Sequence, residues 1–318
     1  MRVAVLGATS RLASDYVYQA ASRDDHQYTL FARDPAAVAE WLARCGVDGR
    51  ATDIDRRFAF ASLASFDTDG EYDAVVNFIG VGDPARAKAL GADIFTVTRE
   101  WDDRALAYLD GHSTARYVFL SSGAVYGGGF DAPVDRQSVA RFPVNALDAS
   151  SWYGLAKLGA EAVHRARPHQ SIIDLRIFNY VSRFVDVAAR FLITDAVRAI
   201  RTDETLDVSH APMVRDFLGL DDLYGLIAAC LDAPAGTNAP ADAFSRAPIA
   251  KDALLQLLHE EFGLRYRYDP ATALVEATGS KANYYSMDRT ASAWGYQPTR
   301  SSADVLRTEI AALVEEAA

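Results

Sequence analysis

Cysteine is scarce in this 318-residue chain: two residues, Cys45 and Cys230, each inside an amphipathic stretch of helical period. Two cysteines make no disulfide scaffold, and neither has a metal-ligating partner at short spacing. Both read as small buried apolar residues. The histidines, His26, His112, His164, His169, His210 and His259, form no HxxxH or HExxH pattern, so no metal site is expected. No apolar run approaches the roughly 18 residues that a membrane span needs. The amino terminus enters a strand directly, Arg2-Val3-Ala4-Val5-Leu6, without a cationic leader, and a cytoplasmic location is expected. Lysine is rare as well, only Lys88, Lys157, Lys251 and Lys281 among 32 basic residues. With 43 acidic residues the formal net charge is −11, which disfavours nucleic acid, since a phosphate backbone needs a cationic face. A small phosphorylated ligand needs only a few local arginines.

What is present has the rhythm of an α/β protein. Half the residues are hydrophobic, a profile of folded globular chains rather than disordered ones. Candidate strands are Arg2–Leu6, Tyr28–Ala32, Ala74–Ile79, Tyr117–Ser121 and Ile172–Phe178. Amphipathic stretches, including Ala36–Cys45, Val97–Leu109 and Tyr153–Arg167, alternate with them. Strands alternating with helices predict crossover units and a doubly wound Rossmann parallel sheet. Beyond Asn179 the alternation gives way to the helical patterns Phe191–Ile200, Asp222–Leu231, Lys251–Phe262 and Ala303–Glu316. The expected organisation is a dinucleotide-binding domain over 1–178 and a smaller, mostly helical substrate lobe over 179–318, some of which returns to the sheet.

The first strand ends in Gly7-Ala8-Thr9-Ser10-Arg11-Leu12-Ala13, and a helical pattern follows. A dinucleotide-binding turn has glycine near 7, 10 and 13, for the tight turn, the approach of the pyrophosphate and close helix packing. Only Gly7 remains. Ala13 is a small replacement, whereas Ser10 puts a side chain where the phosphate approaches, with a hydroxyl able to donate to it. The helix N-terminus still offers N–H groups to an anion. Taken alone, the turn fits a plain strand-to-helix loop equally well. About twenty residues on, the second strand ends in Arg33, where selection of NAD wants a carboxylate. Arg33, with Arg11 beside it, suits the 2′-phosphate of NADP; Asp34 is the carboxylate that would serve NAD instead. Asp53-Ile54, taken as following a third strand, is suggested as the hold on an adenine amino group.

Strand Tyr117–Ser121 leads into Ser122-Gly123-Ala124-Val125-Tyr126-Gly127, and Tyr153-Gly154-Leu155-Ala156-Lys157 comes later. Tyr and Lys at i, i+4 share a helix face. A cation beside a phenol stabilises the phenolate, and a nearby hydroxyl polarises a carbonyl or alcohol. Tyr153 is therefore assigned proton transfer, Lys157 the lowering of its pKa and the nicotinamide ribose, and Ser122 the substrate oxygen. With so few lysines, roughly 0.2 Tyr-xxx-Lys pairs arise by chance.

Together with Leu175-Arg176-Ile177-Phe178-Asn179, Val214-Arg215-Asp216-Phe217-Leu218-Gly219 and Trp294-Gly295-Tyr296-Gln297-Pro298, these motifs resemble, in order, the extended short-chain dehydrogenase/reductases. The likeness covers nearly the whole chain and is to the NAD(P)-dependent epimerase/dehydratase type that modifies nucleotide-diphosphate sugars. It implies cofactor contacts at Gly7, Thr9, Ser10, Arg11, Leu12, Arg33, Asp53, Ile54, Phe78, Gly80, Tyr153 and Lys157. It implies substrate contacts at Ser122, Asn179, Phe191, Leu192 and Arg215, unless Arg215 pairs with Asp221 or Asp222. It also implies a homodimer through two Rossmann helices, one of which carries Tyr153. Gly123 and Ala124 stand where dehydratases carry an Asp-Glu pair, which excludes 4,6-dehydration, and Thr96 stands for a customary Asn. The favoured expectation is an NADPH-dependent reductase of a 4-keto-6-deoxy sugar nucleotide. An NAD-dependent 4-epimerase is the alternative, and a non-catalytic dinucleotide sensor the third reading.

Overall fold

In β1 (Arg2–Leu6), Val3 and Val5 face one side, Ala4 and Leu6 face the other, and all four are fully buried. A strand apolar on both faces belongs inside a parallel sheet that is covered twice. A computed structural model of the chain describes residues 1–45, 54–80, 89–270 and 281–315. The strands that join β1 are β2 (Gln27–Ala32), β3 (Phe58–Ser62), β4 (Ala74–Asn77), β5 (Arg116–Ser122), β6 (Ser171–Ile177) and β7 (Asn238–Asp242). They form one sheet in the order β7-β6-β5-β4-β1-β2-β3, and every neighbouring pair is parallel. The order reverses between β1 and β4, and ligands of such sheets bind outside the carboxyl ends at that point.

The helices are α1 (Arg11–Arg23), α2 (Pro35–Arg44), the single turn α3 (Ile54–Arg57), α4 (Asp93–Gly111), α5 (Ala149–Arg165), α6 (Leu192–Thr202), α7 (Leu220–Asp232), α8 (Lys251–Phe262) and α9 (Ser302–Glu315). On one sheet face Val3, Val5, Leu30, Val76 and Val118 pack with residues of α1 and α7; on the other Ala4, Leu6, Val75, Tyr117 and Phe119 pack with those of α4. Helix α7 and strand β7 lie beyond residue 178 yet complete the sheet. The remaining C-terminal chain builds its own core from α6, α8 and α9. It is less purely helical than its pattern suggested: short strands pair at Asn179–Tyr180 with Phe217–Leu218, and at Thr205–Val208 with Arg265–Tyr268. Cys230 is buried in α7 and Cys45 half-buried after α2. Among the described residues, no helix is long and apolar enough to cross a membrane, and no group of three or more His, Cys, Asp or Glu could hold a metal.

Helix α5 is bolted to the sheet by a buried ionic bridge. His164, with no exposed surface, reaches Asp174 Oδ1 on β6 at 2.6 Å and Asp102 Oδ1 on α4 at 2.9 Å. Tyr117 donates to the same Asp102 oxygen at 2.8 Å, and Arg165 donates to Asp174 Oδ2 at 2.6 Å. Burial opposes the imidazolium, but its two carboxylate hydrogen bonds outweigh that and push His164 up to about 9. A folded pKa above the ordinary value near 6.5 gives stability that is complete below that pH and lost as pH rises through 9. Denaturant unfolding is expected to show stability falling by about 2 kcal/mol from pH 6.5 to 8. The His164→Gln variant should flatten that slope.

Candidate active site

Loops from the ends of β1, β4 and β5 meet at the strand-order reversal. Gly7 takes φ +78°, and a Cβ there would lie 2.8 Å from Cγ1 of Ile79 in the loop after β4, so glycine is required. Ser10 caps α1: its Oγ accepts from the Ala13 N–H at 3.3 Å. The hydroxyl turns along the helix, while the Arg11 and Leu12 N–H groups of the first turn have no helical acceptor. Ala13 is fully buried, as close helix–sheet packing demands, and Ser14 Oγ braces the turn by donating to Ala8 O at 3.1 Å. Thr9 is exposed and Leu12 half-buried. Arg11 is partly exposed, with Nη1 3.7 Å from Asp15 and its guanidinium 5.8 Å from the Trp41 ring.

At the adenosine end, Arg33 is exposed just after β2. The Asp34 carboxylate is committed to capping α2, accepting from the Ala36 and Ala37 N–H groups at 3.1 and 3.3 Å. Asp53 lies outside the described residues. Ile54 opens the turn α3, and among the described residues the third strand, β3, comes after it rather than before; Leu63 and Ala64 follow β3. The pattern hid β3 because its burial lacks a clean period.

The catalytic candidates come together at the end of β5. Ser122 is buried, accepts from the Ala124 N–H at 3.1 Å and stands near enough to the Tyr153 phenol to act on its ionisation. Burial pushes the phenol up; the Ser122 hydroxyl works against it. Lys157 departs from expectation. Its Nζ donates to Leu120 O at 2.7 Å and Ile79 O at 3.5 Å and lies 4.1 Å from the Phe119 ring centroid. Burial pushes the amine down to about 8. The ammonium sits below Gly80, where a Cβ would come within 3.0 Å of it. Phe78 is buried against Tyr16, ring to ring at 5.8 Å, and supports the loop from beneath. Thr96 is exposed on α4, and Thr98 is the buried residue nearby.

Across the cleft, Asn179 Nδ2 donates to Tyr284 O at 3.0 Å and Asp216 O at 3.3 Å, so its amide ties strands together. Arg215 is buried, with Nη1 donating to the carbonyls of Val214 and Lys281, both at 2.8 Å. Asp221 instead pairs with Arg23 and Arg300, and Asp222 accepts from Thr299 and Arg300. Phe191 and Leu192 begin α6 and pack on the C-terminal core. Sequence reasoning missed an aromatic wall beside Ser122. The Phe178 ring fills the space that a side chain at Gly123 would need, and Tyr284 packs 5.2 Å from Phe178 and 4.9 Å from Phe130. Lys281, buried, lies 4.4 Å from the Tyr284 ring centroid. Tyr284 is 105 residues from Asn179, a contact no local pattern encodes.

The reversal of strand order directs a ligand to the turn after β1, and Lys157 reaches the loop that touches that turn. With Ser122 and Tyr153 close together at the end of β5, this arrangement defines a Rossmann protein of the short-chain dehydrogenase/reductase class. The chain belongs to the NAD dependent epimerase/dehydratase family, which matches residues 3–243. Among solved structures it is similar to a UDP-glucuronic acid 4-epimerase from Bacillus cereus, at 16% identity, TM-score 0.75 and 99% of both chains. It is also similar to a UDP-N-acetylglucosamine 4-epimerase from Methanobrevibacter ruminantium, at 14% identity, TM-score 0.78 and 99% and 98% of the two chains. A third is a UDP-glucose 4-epimerase from Bifidobacterium longum, at 16% identity, TM-score 0.74 and 99% and 98% coverage. Identities this low establish the fold alone. No curated protein matches the chain by sequence.

Proposed function

We propose that the protein is an NAD-dependent 4-epimerase of a nucleotide-diphosphate sugar. The observation that carries the reading is the approach of the Ser122 hydroxyl to the Tyr153 phenol at the carboxyl end of β5, in a chain that matches the family over residues 3–243. The sequence favoured a reductase. The family, and three similar 4-epimerases of which two are complexed with NAD, favour the epimerase.

The residues present fit a dinucleotide. Gly7 and the open first turn of α1 would hold the pyrophosphate, with Ser10, Arg11 and Leu12 around it, and Lys157 below Gly80 would hold the ribose. NAD, when bound, supplies a hydride acceptor and donor. Tyr153 takes the proton of the sugar 4-hydroxyl and returns it to the same oxygen when hydride would be given back to the opposite face of C4, while Ser122 donates to the substrate oxygen. Burial raises the Tyr153 phenol, so its ionisation requires the Lys157 ammonium to leave Leu120 and approach it. Arg215 and Asn179 face the diphosphate, and Phe178 and Tyr284 wall the sugar. We also propose a homodimer through α4 and α5, whose Phe95 and Val163 are exposed.

The reductase remains the second reading because Asp34 is committed to its cap and Arg33 is exposed, which suits a 2′-phosphate. The test is to extract and identify any nucleotide held by the purified protein. UDP-glucose, UDP-N-acetylglucosamine and UDP-glucuronic acid are then incubated with it and NAD⁺ and followed by NMR. A C4 epimer without accumulating NADH is the expected result. Oxidation of NADPH by a 4-keto sugar nucleotide, with no epimer, would move the assignment to the reductase.

A further inference from the structure

Asp15, on the second turn of α1, has no exposed surface and no part in the chemistry above. Its Oδ2 accepts from the Tyr180 hydroxyl at 2.8 Å. Its Oδ1 accepts no hydrogen bond among the described residues. The Ser182 hydroxyl, equally buried, is near enough to favour the carboxylate but off hydrogen-bonding geometry. Nη1 of Arg11 stands 3.7 Å from Oδ1. From the C-terminal lobe Glu309 on α9 faces the same region, bound by Arg183 through its N–H at 2.8 Å, Nε at 3.0 Å and Nη2 at 3.1 Å. Burial pushes Asp15 up to about 6; Ser182, Arg11 and Tyr180 pull the other way, and Glu309 adds to the rise.

A buried carboxylate with one oxygen unpaired is destabilising and calls for another explanation. Its position supplies one. Arg11 lies on the turn that receives an anion, one helical turn before Asp15, and Tyr180 follows the substrate-side Asn179.

We propose that Asp15 sets the affinity of the dinucleotide site through Arg11: the ionised carboxylate retains the guanidinium and places a negative charge beneath the turn, and protonation removes both effects. The proposal rests on the dinucleotide-binding reading. A pyrophosphate gains from a free Arg11 and loses from a like charge one turn away, so both effects act in the same direction. Affinity rises as pH falls from 7.5 to 5.5, and binding in that window takes up a proton.

The test is calorimetric titration of the full chain, stripped of nucleotide, with NAD⁺ from pH 5.5 to 8 in two buffers of different ionisation enthalpy. NAD⁺ is the probe because its phosphates are diesters, whereas a 2′-phosphate itself titrates near 6. Affinity is expected to rise about tenfold toward acid, with buffer-dependent heat showing proton uptake near pH 6. Asp15→Asn should bind at the tight level at every pH. Arg11→Gln should bind more weakly at acid pH and keep only the smaller slope that the Asp15 charge itself imposes. A slope that survives Asp15→Asn, an Arg11→Gln slope equal to that of the unaltered protein, or an Asp15→Asn protein fixed at the weak level overturns the proposal. If Asp15→Asn does not fold, the slope of Arg11→Gln decides it alone. Binding that is pH-independent in the unaltered protein overturns the proposal and leaves the dinucleotide reading intact. No binding at any pH overturns both.

Discussion

Tyr153→Phe is expected to lower turnover at least about a thousandfold while dinucleotide affinity stays within about twofold. The substitution removes only the hydroxyl. The ring remains on its face of α5 and Ser122 keeps its bond from the Ala124 N–H, so the fold has no reason to change. What disappears is the group that accepts and returns the proton, and the neighbouring Ser122 hydroxyl has no basic partner to replace it. The split between kcat and binding is the informative part. Steady-state rates and NAD⁺ titration on the same preparation measure it. A protein whose cellular role survives the substitution would be a dinucleotide sensor, and the enzyme reading would fall.

Gly154→Ala is expected to cost about 1–2 kcal/mol of stability and about a hundredfold in kcat, with dinucleotide affinity little changed. Helix propensity alone predicts the opposite sign, since alanine is favoured over glycine by about 1 kcal/mol inside a helix. The decisive contact is steric. A methyl group at 154 would overlap the Ala124 carbonyl oxygen and come 3.3 Å from the Phe142 ring. That carbonyl lies in the turn that follows Ser122 and cannot swing away, so α5 must move outward. Tyr153, the adjacent residue, moves with it and leaves Ser122. Thermal unfolding together with steady-state kinetics checks both halves. A variant that is more stable and equally active would show that α5 does not need this close approach.

Much of the Rossmann half was legible because its signals are local. Arg2–Leu6 matched β1 residue for residue, and Lys251–Phe262 matched α8, since each is a period bounded by clear stop signals. The segment Phe58–Ser62 was not legible: Phe60 is exposed and Ala61 half-buried, so β3 has no period to read. The suggested adenine contact at Asp53-Ile54 was placed as though a third strand preceded it, whereas β3 follows Ile54. Similarly, β7 reads as a turn-rich stretch, Asn238-Ala239-Pro240, and is a strand only because β6 offers it an edge.

Sequence by itself determined the residue types of the chemistry and their spacing. Tyr153 and Lys157 must share a face of a helix, Ser122 must end a strand, and Gly7 must permit a turn, because each requirement is met within a few bonds of chain. Only tertiary structure decided what those groups touch. Ser10 turned out to cap its helix, Asp34 to serve α2, and Lys157 to lie on the carbonyls of Leu120 and Ile79. The Phe178–Tyr284 wall and the Tyr180 bond to buried Asp15 join residues a hundred or more positions apart. Hydrogen bonds and burial depend on distance in space, and spacing along the chain sets that distance only over a turn or two of helix.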